Sequence, residues 1–427
     1  MNTIEEPARC VDADRLRDDI ETNAEYGAIA VAEGRGRTVL PGTEANRRVR
    51  EYFVERLEDA GLDVRVDAVG NVVGRWVPDG ADPDAAAVAA GSHLDSVPEG
   101  GIFDGVLGVY GALEAVRALQ EADADLGRPV EVVCFTEEEG TRFSNGVLGS
   151  AVASGQQSVE EALALEDDDG ISLDDALTDI GARGTGRLDA SAWDSWLEVH
   201  VEQSSRLEDA NVPVGIVTSI TGTIRCEVEV QGEANHAGCA AMHDRTDALA
   251  AASELVLDVE GATEDVVAEK GETVVGTVGK LDVSPNAVNV VPGHAELGID
   301  IRDVEYDSME AVVGAVESSL ARLEAERGVD TTFERPYDIE PIAMHDRCTT
   351  ALSEAAAESG VSTMELHSGA GHDTMHVAKV TDSGMIFAPS RDGISHNPLE
   401  WTGWESCASA TRVLTGAIAE LAGTMSS

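Results

Sequence analysis

The chain has 427 residues, enough for two or three domains, and 43% of them are hydrophobic, enough to build real cores. Acidic residues outnumber basic ones 81 to 29, a formal net charge of −52, and the only lysines are Lys270, Lys280 and Lys379. A field of that sign repels phosphate backbones and anionic lipid, so no nucleic-acid or membrane-surface role is expected. It suits a protein working in molar salt, where the Debye length is about 3 Å, so the acidity marks habitat, not mechanism.

The first sixteen residues have no basic start and no apolar run, so no secretory signal is expected there. No stretch of 18 apolar residues occurs, and the six cysteines form no C-x-x-C pair. The expectation is a soluble cytoplasmic protein of a high-salt organism, without a disulfide framework or a thiolate metal site.

In chain order, helical spacing runs through 14–30 and 43–60, the latter stopped by Gly61. Residues 62–77 alternate around Gly70-Asn71 as a hairpin, and 85–95 is a small-residue apolar run suited to a buried strand. A Gly-rich loop (99–105), a helix (106–122) and a second buried strand (130–136) follow. This alternation predicts an α/β unit with a mostly parallel sheet. Residues 158–189 look like acidic surface helix, and 196–201 returns to strand character.

After Pro213 the pattern changes. Ile224, Cys226, Val228 and Val230 alternate with polar residues as a half-buried strand. A helix (246–260), strands (273–283 and 294–302), a helix (307–326) and a strand near 331–337 complete the order βαββαβ, a split-βαβ sandwich. From about Pro341 strand–helix alternation resumes and ends in a helix over 402–421. The expected architecture is one α/β domain, 1–213 and 338–427, interrupted by a small domain at 214–337.

Chemistry-bearing residues cluster in loops at predicted strand ends, where α/β proteins place their sites. The segments are Gly91-Ser-His93-Leu-Asp95, Gly100-Gly-Ile-Phe-Asp104-Gly, Thr136-Glu-Glu138-Glu139, Glu198-Val-His200-Val-Glu202-Gln203 and Ile394-Ser-His396-Asn-Pro. Three histidines with carboxylates form a nitrogen–oxygen ligand set suited to Zn²⁺, Mn²⁺ or Co²⁺. A two-metal site needs one carboxylate to bridge, and Asp104, in a tight Gly-flanked loop, is the best candidate. Asp95, two residues from His93, is placed to hold the other ring nitrogen. Singly, each signal has a plain reading: a hydrogen-bonded structural histidine, or a solvated face of glutamates. The Gly-rich loop lacks a phosphate-binding pattern, Cys134 reads as core, and Cys239 is a weak nucleophile candidate.

Taken in order, the motifs resemble the two-metal aminoacylase/carboxypeptidase-like (M20-type) amidohydrolases, in the branch of N-carbamoyl-L-amino-acid hydrolase, β-ureidopropionase and allantoate amidohydrolase. The most specific pieces are Gly91-Ser-His-Leu-Asp-Ser-Val-Pro-Glu-Gly-Gly-Ile-Phe-Asp-Gly105, Glu137-Glu-Glu-Gly-Thr-Arg-Phe143 and His200-Val-Glu-Gln203. They continue with Ala234-Asn-His-Ala-Gly238, Asn289-Val-Val-Pro-Gly293, Ser368-Gly-Ala-Gly-His-Asp373 and Asp392-Gly-Ile-Ser-His-Asn-Pro398.

The resemblance implies a zinc-exopeptidase-like catalytic domain with an inserted ferredoxin-like lid and dimerisation domain. It implies two divalent ions, one on His93, Asp104 and His200, the other on Asp104, Glu139 and His396. Glu138 would be the general base and His236 a lid histidine donating to the carbonyl oxygen. Gln203 would meet the ureido group, Asn289 and Arg302 would clamp the substrate carboxylate, and the Gly369 to Gly371 backbone would add hydrogen bonds. The implied reaction is hydrolysis of the ureido C–N bond of an N-carbamoyl-L-amino acid to amino acid, CO₂ and ammonia. The implied partners are a small ureido acid and a second copy of the chain. A salt bridge from Arg302 to Asp300 or Asp303 is the plain alternative for that residue. His372 and Asp373 read as site wall, and histidines 243, 294, 345, 367 and 376 as uninvolved. Ser204 and Cys239-Ala-Ala-Met242 depart from the family pattern, near substrate-contacting loops. Rival readings are a dipeptidase or N-acyl-amino-acid deacylase, a non-catalytic carboxylate-binding protein and a thiol-dependent amidase.

Overall fold

The computed structural model describes residues 5–144 and 146–423. They divide into two compact units, one formed by the chain up to Thr218 and from Met344 onward, the other by Ser219–Ala343.

The first unit is built on a mixed sheet. Its strands lie in the order Val214–Ile220, Ser383–Ala388, Ser195–Val201, Val88–His93, Val130–Phe135, Val72–Trp76 and Asp63–Val66, and Thr363–Ser368 also pairs with Val214–Ile220. The middle strands, Ser383–Ala388 through Val130–Phe135, run parallel, whereas Val214–Ile220 on Ser383–Ala388, Val72–Trp76 on Val130–Phe135 and Asp63–Val66 on Val72–Trp76 pair antiparallel. The mostly parallel sheet expected from strand–helix alternation is therefore corrected to a mixed one. A hairpin supplies one side and Val214–Ile220 the other, and neither needs a crossover helix. That second strand also moves the division between the units beyond the expected residues 213 and 337. Its residues up to Thr218 stay with the first unit, paired with Ser383–Ala388.

The middle strands are buried throughout, which fits their runs of Val, Ala, Leu and Met. The helix Val106–Glu121 is apolar nearly all round and packs in the same core as the helix Trp404–Ala422. Each fully buried Val or Leu there contributes about 1.5–3 kcal/mol. The acidic stretch 158–189 forms only two short helices, Val159–Leu163 and Leu173–Asp179, capped by Ser158 and Ser172.

The second unit contains four long strands and two long helices in the order Gly222–Gln231, Ala248–Lys270, Val275–Ser284, His294–Asp303, Tyr306–Arg327 and Asp330–Ile339. All strand pairings are antiparallel, and the second and third strands lie to one side of the first, the fourth to the other. Alternation along Gly222–Gln231 and His294–Asp303 puts Ile224, Val228, Leu297 and Ile301 into a separate core with Leu255, Val259, Val312 and Leu320 of the helices.

Candidate metal centre

Parallel strands bring their C-terminal ends to one edge of the sheet, and the polar residues gather there. His93 closes Val88–His93, Glu137 to Glu139 follow Val130–Phe135, and His200 lies at the end of Ser195–Val201. Asp104 arrives on the Gly-rich loop before the helix Val106–Glu121. Gly105 takes φ +66°, and a Cβ there would stand 2.5 Å from the His93 ring, so only glycine lets this loop lie against the imidazole. His396, on the loop after Ser383–Ala388, also has a left-handed backbone, φ +53°.

Asp104 is the centre of the group. Its Oδ1 lies 3.5 Å from His93 Nε2 and 3.3 Å from His200 Nε2, while its Oδ2 lies 3.5 Å from His396 Nε2. Glu139 approaches His396 Nε2 at 3.2 Å. Two triads result, His93–Asp104–His200 and Asp104–Glu139–His396, each with potential ligand atoms within 4.8 Å of one another. The carboxylate common to both is Asp104.

The donor chemistry fits two divalent cations. Nδ1 of His93 faces the Asp95 carbonyl at 3.2 Å, and Nδ1 of His200 faces the Val201 carbonyl at 3.3 Å. A carbonyl only accepts, so each neutral ring keeps its proton on Nδ1 and presents the Nε2 lone pair, as a metal-ligating histidine does. Those two Nε2 atoms are 3.5 Å apart, beside buried carboxylates. Such a convergence of acceptors draws positive charge, whether protons or cations. Burial opposes a charged His93, yet Glu138, Asp104 and neighbouring carboxylates raise its pKa well above the ordinary value. Burial likewise opposes ionisation of Asp104, but His200 and His93 hold its carboxyl well below the usual range. Glu139 is pushed up to about 8 by burial and by Asp104.

The three consecutive glutamates take three different directions. Glu137 adopts φ +58°, and its carboxylate turns back to accept from the amides of Arg142 (2.9 Å) and Phe143 (2.8 Å). Glu138 points to His93, Oε2 to Nε2 3.5 Å, and burial raises its carboxyl well above the ordinary range. Glu139 points to His396. A solvated acidic face is thereby excluded for all three, because their side chains are almost entirely buried.

Asp95 departs from expectation. Its carboxylate stands 3.8 Å from His93 Nδ1, and the main-chain carbonyl is the nearer partner. The carboxylate instead accepts from the Glu139 amide at 3.1 Å, so Asp95 links the two loops through that bond. Gln203 reaches Asp104 Oδ2 at 3.4 Å and Ser395 Oγ at 3.3 Å. Gly369 and Gly371 sit on an exposed turn, and Gly369 lines a small cavity together with Gln203. His372 is buried with its ring 4.5 Å from that of His200, and its Nε2 meets Ser368 Oγ at 2.9 Å, which makes it part of the wall behind the His200 ring.

Within the second unit, His236 pairs in register with Val290, and the Asn289 carbonyl accepts from the Ala237 amide at 3.0 Å, so these two residues are neighbours. Both are exposed. Arg302 pairs with Asp300 (Nε to Oδ1 2.8 Å), two residues away on the same strand face. Cys239 is exposed on the His236 loop, whereas Cys134 is core and burial pushes its thiol up to about 12.

Three further groups position the cluster. Glu400 accepts from the amides of Phe103 (2.8 Å) and Asp104 (3.1 Å) and so fixes the loop bearing the central carboxylate. Ser395 Oγ donates to Asp104 Oδ2 at 2.6 Å. Fully buried Arg37 donates to the Gly101 carbonyl at 3.1 Å and carries positive charge beneath the carboxylates. Of the three, only Ser395 had a usable signal, its place beside His396 in the loop segment.

Residues 89–420 match the Peptidase family M20/M25/M40. The chain is 38% identical over 407 residues to the N-carbamoyl-L-amino acid amidohydrolase of Geobacillus stearothermophilus, covering 93% of this chain and 96% of that protein. It is 34% identical to the allantoate amidohydrolase of Bacillus subtilis, covering 95% and 97%. The crystal structure of a hydantoinase/carbamoylase-family amidase from Burkholderia multivorans superposes with a TM-score of 0.89 at 34% identity, covering 97% of this chain and 98% of that one.

Proposed function

The chain belongs to the Peptidase family M20/M25/M40, and on that premise we propose that the cluster around Asp104 is a two-metal hydrolytic centre acting on N-carbamoyl-L-amino acids. The protein is an amidohydrolase of linear ureido C–N bonds, an enzyme of non-peptide substrates. The observation that carries the reading is Asp104, with one oxygen toward His93 and His200 and the other toward His396, while Glu138 stands beside His93.

His93, Asp104 and His200 would hold one ion, and Asp104, Glu139 and His396 the other, with Zn²⁺, Mn²⁺ and Co²⁺ all suited to the set. Two such ions, when bound, supply Lewis-acid polarisation of the carbonyl and acidification of a water. Glu138 takes the proton from that water and delivers it to the leaving amine nitrogen. Burial raises the proton affinity of its carboxyl, the direction that favours taking a proton and handing it on. The hydroxide so formed adds to the ureido carbonyl carbon, the C–N bond to the amino acid breaks as that nitrogen takes the proton from Glu138, and the carbamate left behind decays to CO₂ and ammonia. Asp95 and Glu400 hold the ligand loops, and Gln203 orients the ureido group. Gly369 and Gly371 offer backbone hydrogen bonds to the substrate.

We read the second unit as a ferredoxin-like lid and dimerisation domain, supported by its strand–helix–strand–strand–helix–strand order and its antiparallel sheet. The first unit, 1–213 and 338–427 in the sequence-based division, is then the di-metal catalytic domain. In this reading His236 donates to the carbonyl oxygen as charge develops there. Asn289 and Arg302 take the substrate carboxylate, for which Arg302 must leave Asp300. The enzyme works as a homodimer in the cytoplasm of a high-salt organism. No helix among the described residues is long and apolar enough to cross a membrane.

Allantoate is the second reading for the substrate, favoured by the Bacillus subtilis relative. N-carbamoyl-β-alanine, the β-ureidopropionase substrate, stands behind it. The test is ammonia release at molar KCl from N-carbamoyl-L-amino acids, N-carbamoyl-β-alanine and allantoate, with Mn²⁺ or Zn²⁺ added. Ammonia from the first group, exceeding the other two, is the expected result. Acetate or free amino acids from acyl or peptide substrates, with no ammonia from any ureido acid, would move the enzyme to the deacylase or dipeptidase reading.

A further inference from the structure

Beside the ligand cluster, within the same unit, lies a cavity of about 230 Å³ lined by Gln203, Ser204, Arg206, His367, Gly369 and Phe387 among others. Gln203 joins it to the reacting centre, because its amide reaches Asp104 Oδ2. A substrate whose ureido group meets Gln203 therefore lies against this cavity, which Gln203 also lines. Most of its wall is neutral. The acidic member, buried Glu202, is already committed: its oxygens accept from the Ser204 hydroxyl and from the amides of Arg206 (3.1 Å) and Leu207 (2.9 Å). Its charge is held by the turn that it caps.

Arg206 is different. In a chain with 81 acidic residues its guanidinium makes no ion pair among the described residues. Its two terminal nitrogens instead lie 3.3 Å from the two ring nitrogens of His367. A neutral imidazole has one acceptor nitrogen, and a protonated one has none, so at most one of these contacts is a hydrogen bond. The fork that pairs bidentately with a carboxylate thus has no carboxylate partner among the described residues, and stands exposed at the cavity wall.

We propose that Arg206 is a specificity residue, selecting ureido acids whose side chain carries a second carboxylate. This deepens, and rests on, the ureido-acid reading above. The side-chain carboxylate replaces His367 as partner of the fork, while the ureido group stays with Gln203. A hydrophobic side chain of equal length leaves the guanidinium no better paired than before, and gains nothing from it.

N-carbamoyl-L-glutamate and N-carbamoyl-L-glutamine test this directly, since they share a shape and differ in charge. The metal-loaded enzyme is expected to favour the glutamate compound at least tenfold in kcat/KM. Arg206→Gln is expected to bring the ratio near one, with Arg206→Lys between. A wild-type ratio near one, or a ratio unmoved by Arg206→Gln, overturns the proposal. Calorimetric binding of both compounds to the metal-loaded protein separates the two layers of the argument. A tenfold binding preference without ammonia from either compound sinks the ureido reading and leaves the anion pocket standing. Equal binding sinks the pocket.

Discussion

Glu138 and Glu139 are chemically identical and adjacent, and their roles are separated by where each is aimed. Glu139 reaches His396 and is linked through its amide to Asp95, whereas Glu138 faces only the His93 side. Removing the Glu138 charge should therefore spare the ions and abolish proton transfer. Glu138→Gln is expected to lose 10²–10⁴-fold in kcat, the range for a general acid–base group, while elemental analysis still finds two metals per chain. Loss of metal in parallel with activity would assign Glu138 to the ligand set instead. At this scale the sequence placed His93, Asp104, His200 and His396 at or just after strand ends, and the structure brings those four residues together. The sequence could not show Glu400, whose bonds to Phe103 and Asp104 span 297 and 296 positions, since nothing local marks an acid that serves a distant loop. Nor could it place the proton acceptor of His93 Nδ1, because a main-chain carbonyl and a carboxylate of the same residue, Asp95, are indistinguishable by spacing.

At the scale of elements, the centre depends on a close approach between the loop 99–105 and the end of the strand Val88–His93. Gly105 makes that approach sterically possible. Gly105→Ala places a Cβ against the His93 ring and imposes a left-handed backbone on an alanine, at a cost of more than ~1 kcal/mol. The expected outcome is a lower melting temperature together with weaker metal binding, measured by calorimetry on the metal-free protein. A variant with unchanged melting and unchanged metal affinity would contradict this account of the loop. The buried strands and the helix Val106–Glu121 were legible from apolar runs and from Gly105 at the helix start. The mixed character of the sheet was not, since a short apolar run such as the start of Val214–Ile220 carries no mark of the direction in which it pairs. The acidic stretch 158–189 misled for a related reason: its charges suit helix surfaces, but two serine caps and intervening glycines cut it into short pieces.

Across the molecule, the metal-free state concentrates carboxylates whose proton affinity is raised by folding. Burial pushes Glu137 and Glu400 up to about 7 and Glu139 to about 8. Each is raised above its unfolded value near 4.5, so the folded chain binds more protons than the unfolded chain between these limits. Stability of the metal-free protein should then fall as pH rises from about 4.5 toward 8. Thermal melts in chelator at constant molar KCl check the sign, and added Mn²⁺ or Zn²⁺ at pH 8 should recover the loss. A metal-free melting temperature that rises across this interval would count against the cluster as drawn. The central claim, that two ions on either side of Asp104 drive ureido hydrolysis, is tested most directly by metal titration of activity. Stripped protein in molar KCl is given Mn²⁺ or Zn²⁺ in fractions of an equivalent while ammonia release from an N-carbamoyl-L-amino acid is followed. The account predicts no ammonia without metal and a plateau at two equivalents per chain. Undiminished release from stripped protein, or a plateau at one equivalent, would contradict it.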